Sequence, residues 1–461
     1  MMHVYIATEP APLHFWSINA HKSRNHVSNA RDAESDECAA VQEMPIARPW
    51  TRRIATLVLA PAVVLVCGIA VWYWNEPAGI VLPAGVTSSD YERVAHKLRR
   101  SSSSVDRDAI LFQLGVEQAA RRKWDAAASL FALVSPLDPD RGREARYLQA
   151  QSVLQQDRLR DSERLFREYL AESPDAEKRL WPSQPNREER VQALHYLSYL
   201  LAVELRFEER KDLLGELVRR GEADLFDTLA LHFQSLMEWN NTHGVQRLEN
   251  ACAIVPDDWR MEAVLAQYRI AQGRLDDAWT LLQTCHKQLP NDLKITAACM
   301  TCLEERSDDE GYERWGGELP PMRETDPVDL LRHRGQIAMR QQRFSEAATC
   351  FQRALAIDPA HVACRLGLAQ AWLALEHPDR RKQDLATAQD LVRIQNRLGW
   401  ATSKTPAPDV LLEIAQLSAD AGLRTAAADV CRISILLVED RTAFEKLLRH
   451  VTIENTGGES P

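Results

Sequence analysis

Chemistry needs particular side chains at particular spacings, and this chain offers few such sets. Cys299-Met-Thr-Cys302 has the C-x-x-C spacing of a metal or redox site, yet no second C-x-x-C accompanies it. The pair also sits inside the helical pattern KITAACMTCLEE rather than at a helix start. Two cysteines a turn apart are therefore read as core residues. So are Cys252, Cys285, Cys350, Cys364 and Cys431, because a free cysteine packs as a small apolar side chain. The carboxylates of SDDEG, Ser307 to Gly311, fall at a turn, where solvated surface charge is the ordinary case. The 13 histidines form no H-x-H or H-x₃-H pair backed by nearby acids. No phosphate-binding loop, dinucleotide fingerprint, zinc-protease helix or nucleophile elbow occurs. NNT, Asn240 to Thr242, would matter only in a glycosylating host. The reading is of a chain that is not an enzyme, with no metal, no cofactor and no small-molecule substrate.

What the sequence does specify is scaffolding. Ala, Leu, Arg, Glu and Gln dominate, and period-two alternation is scarce, so the elements are helices. The net charge is −10, while residues 1–53 hold six basic and six acidic side chains. The acidic excess lies beyond residue 74 and would repel a phosphate backbone, so nucleic acid is not an expected partner.

The most patterned stretch is RHRGQIAMRQQRFSEAATCFQRALAIDPA, Arg332 to Ala360. Leu331, Gly335 and Ala338 share one helical face, and Ala347, Phe351 and Ala354 share another. Gly335 and Ala347 are small where two helices cross closely, Phe344 and Phe351 fill the space beside them, and Pro359 stops the second helix. The spacing recurs as Leu114, Gly115, Ala127, Phe131, Pro139, and as Ala150, Leu159, Ser162, Phe166, Pro174. It returns as Ala266, Gly273, Ala278, Leu282, Pro290, and in part as Ala415, Gly422, Ala427, Cys431. Equal units start near 108, 143, 191, 225, 259, 293, 328, 362 and 408, and six of the eight steps are 34 or 35 residues.

A helix–turn–helix period of that length with this signature resembles the tetratricopeptide (TPR) repeat. The resemblance implies an all-α fold, a right-handed α-solenoid of about nine helix hairpins over 105–440. Two units depart from the pattern. Arg210 and Tyr312 stand where close-packing alanines belong, which predicts splayed or shifted pairs. Residues 177–190 read as an insertion between units, and residues 376–384 as a lengthened turn. DRTAFEKLLRHVTI, Asp440 to Ile453, puts Phe444, Leu447, Leu448 and Val451 on one face. It serves as the capping helix a solenoid end requires, within a terminal segment 440–461.

IATLVLAPAVVLVCGIAVWYW, residues 54–74, carries no charge over 21 residues, enough to cross the roughly 30 Å hydrocarbon core. Trp72, Tyr73 and Trp74 would form an interfacial belt, and Pro61 and Gly68 are tolerable there. Arg48, Arg52 and Arg53 precede the segment and Glu76 follows it. That asymmetry predicts a single-pass protein, most simply of a bacterial inner membrane, with a disordered cytoplasmic tail at 1–53. A linker at 75–104 and the solenoid would then lie outside. The competing reading is a cleaved signal peptide with a start at Met44, but no small-residue cleavage site follows the apolar run.

The TPR resemblance implies that first helices line a concave groove holding a protein partner. On that face lie Arg332, Gln336, Arg340, Gln267 and Gln370, with Phe226, Phe233 and Met237. The lysine and asparagine set by which some TPR proteins clamp a peptide carboxylate is missing, with Phe112 and Val116 where it would begin. The expected function is a membrane-anchored scaffold in envelope complex assembly. The alternative is an accessory or regulatory subunit of a membrane-associated enzyme, or an enzyme with its site in the degenerate repeats.

Overall fold

The computed structural model describes residues 107–138, 141–171, 187–237, 242–402 and 406–456. The predicted tail 1–53, membrane segment 54–74, linker 75–104 and most of the 177–190 insertion lie outside the described residues. Among the described residues no helix is long and apolar enough to cross a membrane.

Those residues form α-helices and one short 3₁₀ segment, with no strand among them. The first three hairpins are α1 (Arg107–Ala120) with α2 (Trp124–Leu133), α3 (Gly142–Leu154) with α4 (Leu159–Leu170), and α5 (Arg187–Val203) with α6 (Phe207–Arg220). Next come α7 (Leu225–Phe233) with α8 (Thr242–Ile254), α9 (Trp259–Ala271) with α10 (Leu275–Gln288), and α11 (Leu293–Glu305) with α12 (Asp309–Gly317). The last are α13 (Val328–Arg340) with α14 (Phe344–Ile357), α15 (Val362–Ala374) with α16 (Pro378–Ala401), and α17 (Pro408–Asp420) with α18 (Arg424–Leu437). A final helix, α19 (Thr442–Thr456), covers the end with buried Phe444, Leu447 and Val451. Six of the nine first helices begin on the residue that the repeat register predicts.

The hairpin turns share one device that the sequence pattern hides. Fourteen residues after the start of eight of the units, the backbone turns left-handed: Arg122, Asp157, Leu205, Gly273, Ser307, Gln342, Glu376 and Gly422 have φ of 51–75°. The next N–H reaches back five residues, as in Lys123 N to Gln118 O (2.9 Å), Arg274 N to Arg269 O (2.8 Å) and Arg343 N to Ala338 O (2.8 Å). This Schellman closure satisfies the last carbonyls of the first helix and launches the second. Glycine accepts that backbone freely, yet only two of these eight positions are glycine.

Packing explains the small residues differently from the expectation. A Cβ on Gly335 would lie 2.5 Å from the Phe351 ring, and one on Gly367 of the next hairpin also 2.5 Å from it. Gly115 stands in the same relation to Phe131, at 2.6 Å. The glycines therefore make a slot for an aromatic ring. Phe351, 1% exposed, wedges between its own hairpin and the next.

One further expectation is corrected, and two departures from the pattern are resolved. Residues 376–384 do not lengthen a turn: Pro378 opens α16, which absorbs the extra chain as helix and runs 24 residues. Arg210 is fully buried, its Nε donating to Ser198 Oγ (3.0 Å) across the hairpin and its guanidinium facing the Phe226 ring. Tyr312 is likewise buried.

A plain solenoid lets each repeat touch only its neighbours. This one adds a contact between distant hairpins. Leu229 and Phe233 of α7 and Leu236 of the 3₁₀ segment share one apolar cluster with Leu391, Ile394 and Leu398 of α16 and Val430 of α18. His232 Nε2 lies 2.9 Å from Asp429 Oδ2 on α18, and Lys211 Nζ donates to Ile357 O (2.9 Å). Burial of those three apolar side chains contributes about 1.5–3 kcal/mol each as an upper bound.

Candidate functional site

The predicted contact residues Arg332 and Gln336 are already engaged. Arg332 Nη1 donates to Glu304 Oε2 (2.7 Å), and its Nη2 lies 3.0 Å from His333 Nε2. A guanidinium can only donate, so Nε2 is the acceptor and Nδ1 carries the imidazole proton. Nδ1–H then donates to the Tyr312 hydroxyl (2.8 Å), which donates to Gln336 Oε1 (2.7 Å). Gln336 Nε2 closes the ring by donating to Glu304 Oε1 (2.7 Å). The result is a cycle of five side chains joining α11, α12 and α13. Burial, with Arg332 beside it, pushes His333 down to about 3, so the imidazole is neutral. Glu304 sits below its ordinary range: burial alone would raise it, and Arg332 outweighs that.

The cycle stands where the repeat has lost its small residues. Met300 and Tyr312 occupy the close-packing positions of the 293 hairpin, and both are buried. Tyr312 then needs a partner for its hydroxyl, which His333 and Gln336 supply. Arg340 pairs with Asp309 (2.8 Å) and lies 4.9 Å over the Tyr312 ring. Of the basic-and-glutamine patch expected as a docking surface, Arg332 and Gln336 are thus tied into internal structure, while Arg340 is exposed. Phe233 is corrected too: wholly buried, it belongs to the core between distant hairpins. Phe226 and Met237 are half-buried, and Gln370 is exposed.

Gln267 lines a cleft. One space of about 650 Å³ lies among Lys211 and His232, the first helices bearing Gln267, Ala298 and Thr301, and the 421–426 turn. A second of about 920 Å³ shares Leu205, Glu208, Gln267 and Lys294 with it, so the two are continuous. The larger is lined by Glu204, Glu208, Glu209, Asp258, Asp292, Glu324 and Asp326 against Arg160, Arg206, Arg260 and Lys294, a formal excess of three negative charges. Those cations are paired, Lys294 with Glu208 (3.1 Å), Arg260 with Asp292 (2.9 Å) and Arg160 with Glu204 (2.6 Å). Burial keeps Glu204 above the ordinary carboxylate range in spite of Arg160 and Arg206.

Sequence reasoning missed the acidic lining because its members come from turns and helix starts of four hairpins. No spacing announces them.

His195, Asp224 and Asp227 bring possible metal-ligand atoms within 4.8 Å of one another. Their geometry has a local cause: Asp224 and Asp227 form the capping box of α7, and His195 Nε2 bonds Asp227 Oδ2 (2.8 Å). Burial would lower His195, but the Asp227 hydrogen bond prevails and raises it. Cys299 and Cys302 are fully buried, as expected; burial pushes the Cys299 thiol up, and Cys302 to about 11. Asp308 of the SDDEG run caps α12, accepting from Gly311 N (2.9 Å).

Residues 328–361 match the tetratricopeptide repeat, the unit formed by α13 and α14. Among solved structures the chain is similar to the APC/C hetero-tetramer Cut9–Hcn1, at 13% identity over 79% of this chain and 87% of that one, TM-score 0.25. It is also similar to a tetratricopeptide repeat protein from Parabacteroides merdae ATCC 43184, at 11% identity over 67% and 98%, TM-score 0.27. Yeast Tom70 is similar at 10% identity over 81% and 94%, TM-score 0.27. No curated protein sequence matches the chain.

Proposed function

We propose that this chain is a membrane-anchored scaffold whose helix-hairpin array holds a basic, extended segment of a protein partner in its inner cleft. The observation that carries the reading is the pair of continuous spaces beside Gln267 and Lys294, one of them with an excess of carboxylates. A lysine- or arginine-bearing strand of chain complements that lining and gains on-rate from it. The TPR repeat at 328–361 accords with a protein-binding role rather than catalysis. Anchoring is assigned to residues 54–74, whose 21 uncharged residues have the length of a bilayer span. The arginines preceding that segment favour an orientation with the hairpins outside the cytoplasm.

Photo-crosslinking in the native membrane tests the cleft. A benzophenone amino acid at Gln267 or Ala298 should capture one discrete partner, while the same probe at exposed Thr349 on the second helix α14 should not. Equal capture from all three sites would refute the cleft as the contact. Protease shaving of intact cells reports the orientation separately: an outward array is digested, and a cytoplasmic one survives.

A further inference from the structure

We propose that the contact between α7 and α18 is a seam that opens and closes as a unit, and that its closure builds one wall of the inner cleft. Occupancy of the cleft and closure of the seam are then coupled. The inference rests on the reading of the cleft as the site of a basic segment, and it assigns that site a regulator.

The geometry supplies both halves of the coupling. His232 belongs to the seam, 2.9 Å from Asp429, and also lines the cleft. The cleft is also lined by Gly422 and Leu423 of the turn into α18 and by Thr425 in the first turn of that helix. Parting the seam would therefore remove that wall while leaving the floor of first helices in place. An occupant touching both binds the closed form better, and by linkage must hold the seam shut.

The seam is also where local regularity fails. The first helix of this hairpin is only nine residues long and passes directly into the 3₁₀ segment Gln234–Leu236, whereas its counterparts α9, α11, α13 and α15 each run 13 residues. Polar links across and beside the seam include His232 to Asp429 and Lys211 to the Ile357 carbonyl. Beside them lies the apolar wedge of Leu229, Phe233 and Leu236. A short first helix that gives way to a 3₁₀ segment opens more readily than a full-length one. The same contact makes an otherwise quasi-one-dimensional array cooperative over some 200 residues, from His232 to Asp429, 197 apart.

The test is hydrogen exchange by mass spectrometry on the full chain, with a nona-arginine peptide as probe. In the native protein, peptides covering 225–237 and 424–437 should exchange together, faster than those of α13, and the probe should slow both at least tenfold. Phe233→Ala and the milder Asp429→Asn change no group assigned to the acidic lining. Each should speed exchange at both sides of the seam and weaken the probe at least fivefold, with α13 protection unchanged. If Asp258→Asn weakens the probe while neither seam variant does, the cleft binds but the coupling is wrong. If no variant alters probe binding, the cleft reading itself falls. Exchange of 225–237 at the rate of α13 would overturn the seam as an independent unit.

Discussion

The 328 and 293 hairpins are adjacent, nearly equal in first-helix length, and built on opposite principles. The first packs by shape: Gly335 and Gly367 open a slot and Phe351 fills it. The second fills its small positions with Met300 and Tyr312 and answers the stranded hydroxyl with a cycle of hydrogen bonds through Glu304, Arg332, His333 and Gln336. Shape complementarity tolerates any solvent pH and fails when volume changes. A polar cycle tolerates modest volume change and fails when one member is lost or protonated. The same repeat geometry can therefore be reached by two routes with different weaknesses.

The largest effect should come from the shape route. Phe351→Ala removes the ring from two slots at once and should cost about 3–5 kcal/mol in chemical denaturation. A loss under about 1 kcal/mol would mean that the neighbouring hairpins collapse into the space. On the polar side, Tyr312→Phe keeps the ring but strands the His333 N–H, while the Gln336 carbonyl keeps Arg332 Nη1 (3.2 Å) as a donor, at a cost of about 1–3 kcal/mol.

Acid should separate the two routes further. His333 is held neutral in the fold, down to about 3, and titrates near 6.5 when unfolded. Its contribution is fully present above that unfolded value and is lost as pH falls toward the folded one. Stability should fall by up to about 1.4 kcal/mol per pH unit below 6.5 from this residue. His333→Gln should flatten that part of the curve relative to the native chain, while Phe351→Leu should shift the curve without altering its slope. The smallest effect is expected in the turns. Gly273, at φ 74°, should lose about 1 kcal/mol on replacement by alanine. Gln342→Gly, at φ 56°, should be neutral or slightly stabilising, measured as a shift in melting temperature.

The fold was legible because its signals are local. A small residue eight places into most units, an aromatic or leucine in the second helix and a proline at the end of several recur at fixed steps, and six of the nine first helices start where they should. Even the Arg210 and Tyr312 departures were visible as departures. What they become was not, because Ser198, Phe226, His333 and Gln336 meet them only after the chain has folded. The left-handed turn residues were hidden for another reason: Arg122, Leu205 and Glu376 carry no turn signature, and the hairpin imposes the backbone on them. The contact of α7 with α18 joins residues nearly 200 apart, from His232 to Asp429, and no periodicity reaches that far. The candidate site suffers the same fate. Gln267 was nameable from the sequence because it sits on a first helix, whereas the acidic lining is assembled from separate turns.

Everything proposed for the cleft depends on distant hairpins meeting around it. Spin labels at Ser235 and Thr425, both exposed and both lining the smaller space, report this directly by double electron–electron resonance. A narrow distribution at short distance, broadened and lengthened by Phe233→Ala, is the outcome expected. A long, broad distribution in the native chain would describe an open array and contradict the closed cleft.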